Sequence, residues 1–570
     1  MSNIIKKSAE KYALQNALLF NGKANPKAVI GKVIGELKPK GFSPKDIIPI
    51  VNQVIKEVNK TPLDKQRQKL EKIAPELLVK EKKERDFSLP DLPNAEKGKV
   101  ITRFPPEPNG FLHIGHAKAA IVDSEYANIY DGKFILRFDD TNPENAILEF
   151  YEEQKKDLKW LGISWDEEYH TSDNLEKHYK LAEQLINQGD AYVCTCKGDH
   201  IKECRYNGTE CECRHGECTD SLSQFRDMLK GNLDNAILRL TGDMTCDNTA
   251  MRDPTLFRII EKTHPLQGDK FRVWPTYDFA GAVEDSISGV THPFRTKEYE
   301  LRDECYFKLL DCLNLRKPTL MEFARLNIEG MPVSKRKIKP LIDKGLVNGF
   351  DDIRLPTLRG LKKRGITPEG IKNFVLSQGI SKVESNVTFS LVESENRKII
   401  DPVAKRLFFV KDPVKLKVDN APKLEKKISL HPSNKEIGTR KINTDQVFFI
   451  QNSDVEKLKL GDIFRLKDVY NIKILDINKQ VQGSYEGEKL IQDSPKIQWT
   501  TDDYIEMEVH VPGPLFKNNE FNKESIEIIK GYAEPYVKEL KDGEIIQFER
   551  FGFVRIEKNN GKIIAYMAHK

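Results

Sequence analysis

Residues 103–118 read RFPPEPNGFLHIGHAK. Three prolines, two glycines and two histidines share these sixteen residues, a composition poorly suited to a core. KVITRF (99–104) leads into the stretch and reads as a strand. HAKAAIVDSEYANIY (116–130) leads out of it with helical periodicity. KFILRFDDTNP (133–143) follows as a buried strand ending in two acids and a turn. Strand, loop, helix and strand in that order predict the βαβ unit of a parallel sheet. Ligands of such sheets lie beyond the carboxyl ends of the strands. The loop and Asp139-Asp140 both fall there. Glycine and proline let the backbone approach a phosphate-bearing ligand, and the following helix offers free N–H groups and the positive end of its dipole. His113 and His116, three residues apart, share the first helical turn and titrate near neutrality. An isolated H-x-x-H is ordinarily two loop histidines, so the neighbours must decide.

Further out, 570 residues exceed one core and predict about three to five domains. Charged residues make up 31% and hydrophobic residues 39%. No apolar run approaches the roughly 18 residues of a membrane span, and the first twenty residues lack a signal peptide's apolar stretch, so a cytoplasmic protein is expected. The net charge of +5 is weak evidence for a polyanionic partner. The local clusters LRGLKKRG (358–365) and VSKRKIK (333–339) say more. Six of nine cysteines lie within 194–218, CTCKGDHIKECRYNGTECECRHGEC, which inside a large cytosolic chain reads as metal binding.

Composition divides the chain. Residues 1–97 are lysine-rich and helical: NPKAVIGKVIGEL (25–37) gathers Val29, Ile30, Val33 and Ile34 near one face, and Ser43-Pro44 starts another helix. DLPNAEKGK (91–99) is a linker. The first half of the parallel-sheet domain spans 98–172, an insertion with the cysteines 173–276, and the second half 277–324, where WPTYDFAGAVEDSISGVTHPFRT (274–296) restores βα texture. Residues 325–400 are helical and basic. Residues 401–570 alternate short strands with turns, the texture of β-barrels.

HIGH within RFPPEPNGFLHIGHAK resembles the first motif of class I aminoacyl-tRNA synthetases, and the longer string resembles their glutamyl/glutaminyl branch. RLNIEGMPVSKRK (325–337) stands where the second motif belongs, Val333-Ser334-Lys335 matching the centre of KMSKS. The motif reads VSKRK rather than KMSKS, yet Ser-Lys is retained. The chain thus resembles, over essentially its whole length, the glutamyl-tRNA synthetases of the archaeal and eukaryotic type. The resemblance implies a multidomain α/β plus all-β fold: a Rossmann-like parallel-sheet catalytic domain, an inserted acceptor-binding domain, a helical N-terminal appendage, a helical connecting domain and two anticodon-binding β-barrels.

The same resemblance implies a two-step reaction. The amino acid carboxylate attacks the ATP α-phosphate, and a ribose hydroxyl of the tRNA terminus then takes the acyl group. Charge builds on phosphorus, so positioned donors and cations matter most. His113, His116 and Lys335 are the expected catalytic residues. Pro105, Glu107, Asn109, Gly115, Arg325, Leu326, Val333 and Ser334 join them around ATP, which brings Mg2+. Lys337 is a weaker candidate at the pyrophosphate. Arg103, Asp139, Tyr277 and Arg295 match the amino-acid pocket, Asp139 facing the ammonium group.

GVTHPFRT (289–296) bears on the choice between glutamate and glutamine. A γ-carboxylate calls for a guanidinium, whereas a γ-amide leaves it without its charged partner. Arg295 stands where glutamate-specific relatives have arginine; glutaminyl-tRNA synthetase is the alternative, and a non-catalytic tRNA-binding paralogue a remote one. Cys194, Cys196, Cys211 and Cys213 suit a structural Zn2+, with Cys204, His215 and Cys218 as other candidate ligands. Lys362, Lys363 and Arg364 are expected to meet tRNA phosphates. The implied partners are L-glutamate, ATP and tRNA-Glu, with tRNA-Gln left open, and a monomer with no membrane contact is expected. Activation that requires bound tRNA is also implied.

Overall fold

The computed structural model describes residues 2–20, 22–37, 42–77, 89–216, 218–333, 335–477, 480–518 and 520–570. The chain divides into two compact units, Met1–Asp86 and Phe87–Lys570.

Among its described residues the first unit has four α-helices, Ser2–Leu19, Pro26–Leu37, Pro44–Val58 and Leu63–Ile73. Apolar residues at helical spacing, among them Ile5, Val29, Val33, Ile47, Val51 and Leu70, meet in its core. Pro44 at the first helical position lacks only an N–H that would have no intrahelical partner. The unit's sequence holds 19 Lys and Arg against 10 Asp and Glu, a net +9, which leaves −4 on residues 87–570 of the +5 chain.

In the second unit, Ile101–Phe104, Lys133–Phe138 and Glu167–His170 form a parallel three-stranded sheet in that order. Phe134 to Phe138 are all buried, the pattern of a parallel strand covered on both faces. The helix Ile114–Ile129 crosses between the first two strands. Backbone N–H groups of Thr291 and His292 donate to the Ile101 carbonyl and attach a second parallel pair, Phe294–Thr296 with Met321–Phe323. Between the halves sits an antiparallel sheet of Ala191–Cys194, Ile237–Leu240, Thr255–Ile259 and Val273–Pro275. Its core, including Leu185, Phe225, Met228 and Phe257, is covered by the helices Leu175–Gln188 and Cys218–Lys230. Helices Lys335–Asp343, Leu358–Arg364, Pro368–Gln378 and Ser390–Ile400 follow, within which Leu326–Ile328 pairs in parallel with Ser385–Val387.

Two seven-stranded, barrel-like sheets end the chain. One closes on Phe408, Phe448, Tyr470 and Trp499, the other on Phe409, Val509, Ile546 and Phe548. Arg406–Leu407 and Phe409–Lys411 belong to the second sheet although they precede every strand of the first in sequence. That crossover binds the two sheets into one body.

One basic expectation is corrected. Arg364 does not face solvent: its side chain is buried, pairs with Glu393 and donates to the carbonyls of Met567 and Ala568. It fastens the end of the helix Leu358–Arg364 to the last strand. Lys362 is exposed, and Lys363 is half-buried in an ion pair with Asp351 at 2.8 Å.

Candidate active site

The quoted loop leaves the carboxyl end of the first parallel strand in an extended course. Pro106, Pro108 and Gly110 are buried, while Pro105, Glu107 and Asn109 alternate with them and stay half-exposed. Gln154 holds the loop from beneath, its Nε2 donating to the carbonyls of Glu107 (3.0 Å) and Gly110 (2.8 Å). Asp139 N–H donates to the Pro106 carbonyl at 3.1 Å, joining the ends of two strands.

At the next turn the histidines cap their own helix. His113 Nδ1 accepts from the N–H groups of Gly115 (3.1 Å) and His116 (3.4 Å), and His116 Nδ1 accepts from His113 N–H (3.2 Å). Three backbone donors of the helix start are thereby met, those of His113 and His116 reciprocally. An accepting Nδ1 carries no proton, so in each neutral ring the proton sits on Nε2. The rings stack at 3.8 Å between centroids. Burial pushes both pKa values down, helped by the Arg325 cation, and His116 falls to about 4. Both rings are therefore neutral Nε2–H donors at neutral pH. Gly115 leaves no room for a side chain, since a Cβ there would lie 2.9 Å from His113 Cε1 and 3.3 Å from Val333 Cγ1. That contact also brings the two sequence motifs together.

Lys118, buried in the same helix, donates to the Ala324 carbonyl at 2.7 Å and so ties the helix to the segment that presents Arg325. Arg325 Nη1 pairs with Glu298 at 3.1 Å, and the Leu326 side chain is buried. A cleft of about 1990 Å³ is lined by Glu107, Asn109, Arg325, Val333, Lys337 and, from a C-terminal hairpin, Phe516. Lys335 opens the helix Lys335–Asp343; Ser334 lies outside the described residues.

A second group surrounds the strand ends. Arg103 is buried and committed: Nε and Nη2 contact Asp285 at 2.9 and 3.2 Å, and Nη1 donates to the Phe294 carbonyl at 2.9 Å. Arg137 bridges Asp139 and Asp285, each at 2.7 Å. Thr171 Oγ1 also donates to Asp139, at 2.9 Å. Burial alone would raise the Asp285 carboxyl, but the two guanidinium groups outweigh it and hold it below the usual carboxylate range. Arg103 is thus committed to Asp285 and, through it, to Arg137 beside Asp139. Neither Arg137 nor Asp285 was singled out in the sequence. Arg137 stands two residues before Asp139, which directly follows the strand, and that near period-2 spacing is the signal that could have found it.

Arg295 is 5% exposed and lies beside three tyrosine rings, Tyr277, Tyr299 and Tyr306, at 5.7, 5.4 and 5.3 Å. Its Nη1 reaches Asp303 at 3.3 Å, and its buried Nε has no hydrogen-bond partner among the described residues. Burial pushes Asp303 up to about 6 although Arg295 pulls it down. A desolvated guanidinium with a donor to spare favours an anion.

Cys194 and Cys211 lie 3.8 Å apart at sulfur, and Cys196 and Cys213 3.6 Å apart. Cys194, Cys196 and Cys213 are mutually within 4.8 Å. Cys204 instead faces His200 at 3.5 Å, and His215 pairs with Glu210 at 3.0 Å.

Residues 99–402 match the family described as tRNA synthetases class I (E and Q), catalytic domain. Residues 404–491 and 496–557 match two models of that family's anti-codon binding domain. A glutamate–tRNA ligase of Nitrosopumilus maritimus is 43% identical over 569 residues, 99% of this chain and 100% of that protein. Glutamate–tRNA ligases of Cenarchaeum symbiosum (98% of this chain, 99% of that one) and Pyrococcus furiosus (99% and 100%) are each 42% identical.

Proposed function

Because this chain belongs to the class I tRNA synthetases of the glutamate and glutamine branch, we propose that it is a glutamate–tRNA ligase, joining L-glutamate to the 3′ end of tRNA-Glu. The observation that carries glutamate is the buried Arg295, paired with Asp303 through Nη1, whose Nε has no hydrogen-bond partner among the described residues and suits an oxygen of a γ-carboxylate better than a γ-amide.

In the first step a carboxylate oxygen of glutamate bonds to the α-phosphorus of ATP, and the bond to the bridging oxygen breaks with its electron pair leaving on pyrophosphate. The Nε2–H groups of His113 and His116 donate to the α-phosphate as its charge grows. Their depressed pKa values matter here, because each ring has a fixed donor and stays neutral. Pro105, Glu107, Asn109, Gly115 and Val333 shape the ATP side, and Arg325 with the backbone of Leu326 holds the adenine side. Ser334 and Lys335 take the leaving pyrophosphate, and Lys337, on the cleft wall, is a weaker candidate for it. Mg2+ bound with ATP neutralises phosphate charge. Asp139, oriented by Arg137 and Thr171, receives the ammonium group, Tyr277 covers the substrate, and Arg103 stiffens the floor. In the second step a ribose hydroxyl oxygen of the terminal adenosine bonds to the acyl carbon, the bond from that carbon to the phosphate oxygen breaks with its electron pair leaving on AMP, and the hydroxyl proton passes to solvent.

Cys194, Cys196, Cys211 and Cys213 would hold a structural Zn2+. Tetrahedral thiolates at about 2.3 Å from zinc stand about 3.8 Å from one another, which the two sulfur pairs approach. Bound there, zinc fixes the fold of the loop between the pairs. Lys362 and Lys363 are the proposed phosphate contacts, and the C-terminal sheets take the anticodon, acting in a single chain.

Pyrophosphate exchange with glutamate or glutamine, with and without tRNA-Glu, tests the reading. Exchange with glutamate alone, and only when tRNA is present, supports it. Exchange with glutamine overturns the assignment to Arg295. Charging assays with tRNA-Gln decide whether a second tRNA is used.

A further inference from the structure

The helix Gly198–Asn207 lies in the loop between the two Cys-x-Cys pairs. Near its end stands Tyr206, 86% exposed, the most exposed aromatic ring among the described residues. The ring makes no hydrogen bond or ring contact among those residues, yet the backbone beneath it is held on several sides. Arg252 Nη1 donates to the carbonyls of Arg205 (2.8 Å) and Tyr206 (3.1 Å), and its Nε donates to the Cys246 carbonyl (2.8 Å). Arg205 Nη2 donates to the Thr249 carbonyl at 2.9 Å. Gly208 ends the helix at φ +69°, and a Cβ there would meet the Met244 carbonyl oxygen at 2.8 Å. Cys204, one turn earlier on the inner face, is buried.

Hydrogen bonds link this tip to the turn that carries Tyr299. Asn248 Nδ2 donates to the Leu301 carbonyl at 2.8 Å and to Glu304 at 3.1 Å. Leu301 belongs to the short turn Lys297–Arg302, which also carries Tyr299, one of the three rings beside Arg295. Arg302 in the same turn pairs with Asp278, next to Tyr277. Burial, and the neighbouring Arg239 and Arg302 cations, lower the pKa of Arg205. From Tyr206 to the pocket wall the path runs through Arg205, residues 248–252 and the turn.

We propose that Tyr206 is a stacking site for a nucleobase of the unpaired 3′ end of tRNA, held at the entrance of the glutamate pocket by the cysteine-rich loop. The proposal rests on the tRNA-ligase reading above. The 3′ strand must leave its helical stack to carry the terminal ribose into the pocket, and each unstacked base loses a partner. A tyrosine face replaces that partner for any base, and stacking of this kind changes affinity by about 5- to 150-fold per base on alanine substitution. Because the backbone is already fixed, binding has little ordering to overcome there.

The test compares the full-length protein with Tyr206→Ala and Tyr206→Phe. Dissociation constants are measured for intact tRNA-Glu and for tRNA-Glu trimmed of its unpaired 3′ nucleotides, with glutamylation of intact tRNA-Glu followed in parallel. The expected result is that Tyr206→Ala weakens intact tRNA by about 5- to 150-fold, leaves trimmed tRNA unchanged, and that Tyr206→Phe behaves as wild type. Equal affinity of wild type and Tyr206→Ala for intact tRNA would overturn the proposal, as would equal weakening for both RNAs. Glutamylation by wild type separates this failure from failure of the ligase reading: a wild type that charges tRNA-Glu while Tyr206→Ala binds it unchanged defeats the stacking site alone.

Discussion

His113 and His116 do two jobs with two nitrogens each: Nδ1 closes the helix start and Nε2 is left to donate. Replacing His116 by alanine should cost roughly 10²–10³-fold in kcat for pyrophosphate exchange, the usual loss of one oxyanion-type donor. The pH dependence follows from the sign of the shift. The His116 pKa is lowered from 6.5 to about 4 by burial and Arg325, so between those values the unfolded chain binds more protons than the folded one. Its contribution to stability is complete above 6.5 and declines as pH falls toward 4. Urea unfolding from pH 7 to 4 should show this decline, smaller in His116→Asn, and a rise in stability on acidification would contradict it. Arg295 makes a separate prediction. Arg295→Ala should raise the KM for glutamate by roughly 10²-fold or more, because a buried carboxylate loses its partner; a normal KM would move the carboxylate elsewhere.

Among elements, the cysteine loop holds the two sulfur pairs, and the hairpin made of the strands Phe516–Lys517 and Glu520–Phe521 brings Phe516 to the cleft. The sulfur pairs Cys194–Cys211 and Cys196–Cys213, at 3.8 and 3.6 Å, predict one zinc per chain by elemental analysis. Cys213→Ser should lose the metal and lower the melting temperature, and full metal content in that variant would exclude Cys213 as a ligand. The hairpin reaches from the second C-terminal sheet to the second motif. Phe516 N–H donates to the Gly330 carbonyl at 3.1 Å, and Leu515 is buried against Ile338, Leu341, Val347 and Leu355. Leu515→Ala should cost about 2–5 kcal/mol of packing at that seam. Its effect should appear as slower pyrophosphate exchange with the KM for glutamate unchanged. No helix among the described residues is long and apolar enough to cross a membrane.

Across the molecule, charge is uneven, +9 on residues 1–86 and −4 on the remainder. Affinity for tRNA should fall steeply with salt, and Lys362→Gln should flatten the slope of log Kd against log salt by about one phosphate contact. Lys363→Gln should change it less, because Asp351 already pairs with that lysine. An unchanged slope in both would remove this helix from the RNA contact surface. The N-terminal helices have their own core. Ile47→Ala should therefore cost about 2–5 kcal/mol there, read as a lower midpoint for the unfolding transition that deletion of residues 1–86 removes.

Much of the local arrangement was legible. The strand–loop–helix–strand order, the two histidines at the helix start, the acids after the second strand and the paired cysteines depend on residues within a few positions of one another, and backbone geometry follows from such spacing. What tertiary structure alone decided depends on distance in sequence. Arg103 and Arg364 read as available cations, yet folding brings Asp285 to the first and Glu393 with the last strand to the second. The three tyrosines around Arg295 come from a helix, a turn and a second helix. The seat of the hairpin on the second motif joins residues nearly two hundred positions apart. Burial, and the partner that a buried charge must find, are set by which segments meet, and no local spacing encodes that.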